Sequence, residues 1–336
     1  RGRAGAGGGR VSAPAPAARR AAAPPLHDRP RMKVLFVCRR TPRGTAAPFN
    51  LEQAESLRRQ GVEVDFFLLE RPGVRGYAGA LGPLRRAVRD SRCDLVHAHF
   101  GLSGMLAVLQ RLRPVVTTFH GSDVGYLRTR GFSFVASRLS RHSIFVEGGM
   151  VARLGLRGGY TVLPCGIDMD TFRPRDRAAC RRELGIGPEE RVVLFSGRFD
   201  VPRKNAALAR AAVDRVPPAR LVELRGYGRE AVCRLMNAAD ALLMTSHLEG
   251  SPQVVKEAMA CNLPVVSVPV GDVPAVIAGT EGCHLAGYDA KELAARLEQV
   301  FARGGRTEGR RAAERFGLDA VAGRLVEIYR QVLHAN

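Results

Sequence analysis

The sequence predicts an α/β protein of two doubly wound units facing each other across a central cleft. Three observations predict it. Short apolar runs alternate with amphipathic stretches from Lys33 onward. Many of the runs are apolar at consecutive positions instead of alternate ones, which marks strands covered on both faces of a parallel sheet. The pattern breaks in a cluster of Pro, Gly and Asp at residues 164–174 and then begins again. A length of 336 residues agrees, since a domain takes about 100–200 residues.

In the first unit, strands are expected at 33–38, 62–69, 94–99, 114–119, 143–147 and 159–164. Leu51–Gln60 reads as a helix, with Leu51, Ala54 and Leu57 on one face and Gly61 ending it. Residues 128–141 also have helical spacing. Phe132, Val135, Ala136 and Leu139 would face the core, with Arg128, Arg130, Arg138 and Arg141 outside. In the second unit, strands are expected at 191–196, 220–225, 241–245, 263–268 and 283–286. Helices fall near 204–214, 229–239, 252–261 and 289–303. A last helical stretch at 309–334 places Phe316, Val321, Leu325, Ile328, Tyr329 and Val332 as its apolar positions. The expected division is a leader over 1–31, a first unit over 32–165 and a second over 166–309. The C-terminal helix of about 310–336 is assigned back to the first unit.

Composition narrows the function. Hydrophobic residues make up 46%, which excludes global disorder. No run approaches the roughly 18 apolar residues of a spanning helix, which excludes an integral helical membrane protein. Lys and Arg number 52 against 32 Asp and Glu, a net +20. Residues 1–31 carry +6, residues 32–165 carry +11 and residues 166–336 only +3. A basic first unit suits an anionic membrane surface, an acidic glycan or nucleic acid; Arg-rich solvated faces account for it equally. The absence of Trp argues against nucleic acid, whose basic grooves interleave aromatic residues.

The first 31 residues, rich in Ala, Gly, Pro and Arg, cannot bury enough surface to order themselves. Met32 stands directly before the first strand as a natural start, and the single Ser12 is too little for a transit peptide. Seven scattered Cys, an odd number without a Cys-x-x-Cys, point to reduced thiols in a cytoplasmic setting.

Three strings at expected strand ends carry the chemistry. The first runs from Glu249 to Ala260. Ser251 reads as a helix N-cap and Pro252 as the first helical residue. Glu249 then stands in the loop and Glu257 in the helix, where two carboxylates can accept hydrogen bonds from sugar hydroxyls beside an anion-binding helix start. Read alone, one Glu would cap and the other would be solvated. The second string is Phe195–Asn205, where Gly197 permits close backbone approach and Arg198 and Lys204 offer phosphate-binding charge. The third, Thr117–Asp123, brings His120 and Asp123 to a strand end.

Together these strings resemble the GT-B glycosyltransferases, specifically the retaining family 4. The paired Glu with seven residues between are Glu249 and Glu257. The Gly-Arg…Lys motif is Gly197, Arg198 and Lys204, and the His-Gly-Ser-Asp string is His120–Asp123. The interdomain string is matched by Pro164, Gly166, Ile167, Asp168, Phe172 and Pro174. The resemblance runs from about residue 32 to the C-terminus.

The resemblance implies a nucleoside diphosphate sugar as donor, held by the second unit, and a glycan or lipid-linked acceptor, held by the first. Arg198 and Lys204 would hold the donor diphosphate. The spacing between them is one residue longer than is common, so Arg203 would share or take over that assignment. Glu257 would bind the ribose and Glu249 the transferred sugar, with Gly250, Ser251 and Pro252 also donor-binding. Tyr227 would border the nucleobase. His120 would lie near the reacting carbon, with Arg43, Gly44 and Asp123 on the acceptor side.

No cofactor and no metal are expected. Asp168-Met169-Asp170 imitates a metal-binding Asp-x-Asp but belongs to the interdomain string, and two cations already supply the charge a divalent ion would bring. His97-Ala98-His99 lacks a third ligand nearby in sequence. The expected protein is a cytoplasmic hexosyltransferase of cell-envelope or exopolysaccharide synthesis, resting peripherally on the membrane. The alternatives are a nucleotide-sugar epimerase-like enzyme and, in another class, a basic non-catalytic nucleic-acid-binding protein.

Overall fold

The structure, a computed structural model, describes residues 32–70 and 73–334. The expected leader over 1–31 lies outside the described residues.

The first half comprises β1 (Lys33–Arg39), α1 (Pro48–Arg59), β2 (Glu63–Leu69), α2 (Gly73–Gly79), α3 (Leu81–Ser91), β3 (Leu95–His99) and α4 (Gly101–Leu109). It continues with β4 (Val115–Phe119), α5 (Ser122–Gly125), α6 (Leu127–Leu139), β5 (His142–Phe145), α7 (Gly149–Arg153) and β6 (Tyr160–Val162). The second half comprises α8 (Arg177–Glu183), β7 (Val192–Phe195), α9 (Ala206–Val213), β8 (Arg220–Glu223), α10 (Arg229–Ala238), β9 (Ala241–Met244) and α11 (Gln253–Ala260). It ends with β10 (Val265–Ser267), α12 (Val273–Ile277), β11 (His284–Leu285), α13 (Ala290–Arg303), α14 (Gly309–Ala313) and α15 (Leu318–His334).

Two wholly parallel sheets result. One has six strands in the order β2-β1-β3-β4-β5-β6, the other five in the order β11-β10-β9-β7-β8. The unbroken apolar runs have the predicted cause: every residue of β3, β4, β7 and β9 is buried. In each sheet the order reverses beside a central strand, and the loops at the carboxyl ends there form the natural ligand crevice.

α15 packs on the first half, not the second. Its Leu325, Ile328 and Tyr329 share one core with Val34 and Phe36 of β1 and Leu57 of α1. The chain therefore crosses between the halves twice. The crossings touch at Ile167 and Gly317, where the Ile167 N–H donates to the Phe316 carbonyl at 2.8 Å and the Leu318 N–H to the Ile167 carbonyl at 3.0 Å.

Three local expectations are corrected. In α1 the buried row starts on Asn50 and continues through Ala54 and Leu57, at i, i+4 and i+7, while Leu51 is 41% exposed. The stretch 309–334 is not one helix, since a 3-10 turn at Glu314–Phe316 and Gly317 separate α14 from α15.

The third correction is the face of α6. Its buried residues are Ser133, Ala136 and Ser137, while Leu127 is 81%, Phe134 42% and Leu139 60% exposed. The cause is close helix packing. A Cβ added to Gly101 of α4 would lie 2.0 Å from Ser133 Oγ, and one on Gly104 would lie 3.1 Å from the Ala136 Cβ. Only small side chains fit between α4 and α6, so Leu127, Phe134 and Leu139 stay exposed, while Phe132 and Val135 are half-buried.

Candidate active site

The strand ends bring the three strings together. The loop at Glu249–Ser251 follows β9, and the turn at His120–Gly121 follows β4 in the other half. A Cβ on Gly121 (φ +113°) would lie 2.7 Å from the Gly250 nitrogen, and one on Gly271 2.2 Å from the Gly250 carbonyl oxygen. The Glu249 loop is thus held between backbone of the first half and the loop after β10. Only glycines permit that spacing.

Glu249 has an 11% exposed side chain and lies between two cations. Its Oε1 is 2.7 Å from Arg203 Nη1 and 2.7 Å from Lys204 Nζ. Burial lowers the Lys204 ammonium, and the Glu249 carboxylate opposes that shift. Lys204 also donates to the Ser196 carbonyl at 3.2 Å. Its stem fills the space a Gly197 side chain would take, since a Cβ there would lie 2.9 Å from Lys204 carbons. Gly197 therefore makes room for the lysine. Arg198 stands apart, half exposed and paired with Asp200. Arg203 joins Lys204 at Glu249, while Arg198 does not.

α11 begins at Gln253 with Pro252 as its N-cap, and the expected Ser251 cap is absent. Ser251 Oγ instead donates to Asp272 Oδ2 at 2.6 Å. Lys256 explains the change. Its side chain is fully buried, 3.4 Å from Asp272 Oδ2, bonded to Ser251 Oγ, and 4.9 Å from the Phe316 ring centre. Gln253 Nε2 donates to the Gly166 carbonyl at 2.7 Å, tying α11 to the first crossing. Glu257 is 6% exposed. Burial pushes its carboxyl above the ordinary range, against the pull of Arg229, whose Nη1 donates to it at 2.9 Å.

His120 has both ring nitrogens engaged. Nε2 is 3.1 Å from His99 Nδ1, and Nδ1 is 3.6 Å from Cys165 Sγ. Burial lowers its value to about 3, so the ring is neutral at pH 7. Phe49 and Phe100 border it, with ring centres at 5.0 and 4.5 Å. His97 and His99 are fully buried and stacked at 4.5 Å, and His97 bonds Tyr329 Oη at 2.6 Å and Thr118 Oγ1 at 2.7 Å.

Asp123 does not present its carboxylate to the cleft. It accepts from the backbone N–H groups of Gly101, His120 and Gly121 at 2.9, 3.1 and 2.9 Å, and so braces the His120 turn. Arg43 is exposed, and Gly44 (φ +85°) accepts at its carbonyl from Arg40 Nε at 3.1 Å. Both lie in the loop after β1. Tyr227 is 47% exposed after β8. Asp168 accepts from the Asp170 and Thr171 N–H groups and from Thr171 Oγ1, so its carboxylate caps the crossing. Among the described residues, no three His, Cys, Asp or Glu side chains converge in a metal-binding group.

Sequence reasoning missed Lys256, Arg229 and Glu52. Arg229 had a signal: a cation at the first position of a helix faces the positive end of the dipole and needs acidic partners. Lys256 had none beyond its place in the string. A surface concavity of about 660 Å³, lined by Arg111, Arg113, Arg138 and Arg141, opens at the amino ends of β4 and β5, away from these loops.

This architecture is GT-B: two Rossmann-like halves whose strand ends meet at a shared cleft. A family model described as "Glycosyltransferase Family 4" matches residues 32–171, and one described as "Glycosyl transferases group 1" matches residues 202–303. The D-inositol 3-phosphate glycosyltransferase of Mycobacterium sp. (strain KMS) is 30% identical over 272 residues, covering 66% of this chain. The chain spans 62% of that relative's length. The protein of the same name from Segniliparus rotundus is 30% identical over 318 residues, with 76% of this chain and 70% of the relative covered. Sucrose-phosphate synthase from Thermosynechococcus elongatus superimposes with a TM-score of 0.80 at 19% identity, over 91% of this chain and all of that one. Anabaena HepE in complex with UDP gives 0.72 at 17%, over 89% of this chain and all of that one. The chain belongs to glycosyltransferase family 4.

Proposed function

We propose that the protein transfers a hexosyl unit from a nucleoside diphosphate sugar to an acceptor hydroxyl, with retention at the anomeric carbon. The observation that carries this reading is Glu249 between Arg203 and Lys204 at the mouth of the cleft, eight positions before the buried Glu257. With no donor bound, the carboxylate neutralises both cations. A donor diphosphate takes over Lys204 and Arg203, with Arg198 at the rim, and frees Glu249 for sugar hydroxyls. Glu257 takes the ribose. The UDP named with HepE and the sugar chemistry named in the mycobacterial relatives support this assignment.

Acceptor oxygen bonds to the anomeric carbon as the bond to the leaving phosphate oxygen breaks, on the same face. The acceptor proton passes to that phosphate oxygen. Lys204 and Arg203 stabilise the charge on the leaving diphosphate, the role a divalent ion would otherwise fill, so the reaction proceeds without metal. His120, neutral and fully engaged, positions the sugar. The acceptor docks on the first half, near the loop holding Arg43 and Gly44.

The outward face of α6 favours an acceptor at a membrane. Leu127, Phe134 and Leu139 are exposed beside Arg128, Arg130 and Arg138, with no acidic residue on the helix. That combination suits an anionic bilayer surface at the inner face of the cell membrane. No helix among the described residues is long and apolar enough to cross a membrane.

Incubation with UDP-glucose and other nucleotide sugars, with and without glycan or lipid-linked acceptors, tests the transfer. Acceptor-dependent UDP release with an α-linked product from an α-linked donor is expected. An epimerised sugar nucleotide formed without acceptor would point to the epimerase chemistry instead. Co-sedimentation with phosphatidylglycerol vesicles, lost in a Leu127→Ser/Phe134→Ser/Leu139→Ser variant, tests the membrane face.

A further inference from the structure

Arg229 opens α10, and its guanidinium touches three separate parts of the fold. Nη1 donates to Glu257 Oε1 at 2.9 Å. Nη2 donates to Glu52 Oε2 at 3.1 Å, and Nε lies 2.8 Å from Glu52 Oε1. Its central carbon lies 4.7 Å from the ring centre of Phe172, which is fully buried in the first crossing. Glu52 belongs to α1 in the first half and Glu257 to α11 in the second. One guanidinium therefore spans the cleft and holds a carboxylate on each wall. Both carboxylates are largely shielded, with side-chain exposures of 19% for Glu52 and 8% for Glu257. A planar fork can serve two carboxylates at fixed angles, which an ammonium cannot.

We infer that Arg229 is a positioning residue that couples closure of the two halves to the setting of Glu257, with Glu52 as its contact on the opposite wall. The inference rests on the reading of Glu257 as a donor-binding residue. When the halves part, Glu52 withdraws and the whole guanidinium turns to Glu257, occupying the oxygens a sugar hydroxyl needs. When they meet, Glu52 draws the guanidinium back, and Glu257 keeps one hydrogen bond while its second oxygen faces the donor. Phe172 fixes the plane in which this shift occurs. The donor site is then complete only in the closed protein, which keeps water from a bound donor until both walls are in place.

The test begins with ligand-free protein. Hydrogen exchange is compared for the wild type, Glu52→Gln and Arg229→Met. Faster exchange is expected in both variants over the first turns of α1 and α10 and over residues 249–257. Unchanged exchange in Glu52→Gln overturns the tie, whatever the donor proves to be. Donor kinetics follow, with UDP-glucose as probe. Glu52→Gln is expected to raise the donor KM about tenfold, within the usual range of coupling between sites, with kcat changed less than about twofold. Glu52→Asp should recover part of the loss. An unchanged KM beside faster exchange overturns the coupling to the donor. A wild type that turns over no nucleotide sugar overturns the donor reading itself, while the exchange result still decides the tie. Glu52→Gln is the milder variant and keeps the test valid should Arg229→Met fold poorly.

Discussion

A Cβ added to Gly250 would lie 2.6 Å from the carbonyl oxygen of His120, so the two halves meet backbone to backbone beside Glu249. Gly250→Ala is expected to hold the walls apart. Displacement by about 1 Å near the reacting atoms lowers turnover by about a hundredfold. Steady-state kinetics should show that loss, with a larger radius of gyration in solution scattering and little change in thermal midpoint. A variant with normal turnover would remove this contact from the mechanism.

The cations at the donor site should differ in effect. Lys204 is 13% exposed against Glu249, Arg203 39%, and Arg198 52% and turned toward Asp200. Lys204→Met is expected to lower kcat by about 10²–10³, the usual effect of losing one well-placed charge-stabilising donor. Arg203→Met should lose less, and Arg198→Met least. Rates of UDP release check the order; equal effects at Arg198 and Lys204 would contradict it.

Lys256 and Asp272 form a buried pair, with side chains 0% and 10% exposed. Removing one partner of such a pair costs about 3–5 kcal/mol. Lys256→Met should therefore be strongly destabilised in urea. The double variant Lys256→Met/Asp272→Asn should recover part of that loss, and the absence of any recovery would show that the pair is not the cause.

Burial lowers His97 from 6.5 to about 3, so the folded protein resists a proton that the unfolded chain accepts. A folded value below the unfolded one gives stability that is complete above about pH 6.5 and lost as the pH falls toward 3. Between pH 6.5 and 5.5 the wild type should lose about 1 kcal/mol more than His97→Gln. Burial raises Asp123 to about 6, an opposing contribution common to both proteins that cancels in the comparison. Urea unfolding at the two pH values measures the difference.

Much of the fold was legible because parallel strands buried on both faces have a plain signature. Val192–Phe195, expected within 191–196, is one case. The order of strands depends on contacts between distant residues, and the return of the C-terminal helix to the first half, expected from the sequence, is made by contacts such as Tyr329 with His97, 232 positions apart. At the site, Glu249 and Glu257 stood in one string and Lys204 in another, and the fold brings Lys204 to Glu249. Their partners were less legible. Ser251 looked like a helix cap because Ser before Pro usually is one, yet Asp272 from the loop after β10 and Lys256 from the helix itself claim its hydroxyl. α6 misled for a related reason, since its apolar residues have helical spacing but the glycines of α4 decide which face fits.

The paired crossings at Ile167 and Gly317 have one more consequence. A single connecting segment lets two bodies swivel, slide and tilt. Two segments stitched side by side, with the 2.8 and 3.0 Å hydrogen bonds between them, resist swivelling and sliding and yield to tilt, as a door on adjacent pins swings in one plane. Approach of the walls then follows one coordinate. A single spectroscopic ruler from α1 to α10 reads the whole excursion, and a substitution along the stitched segments alters its stiffness while leaving its direction unchanged.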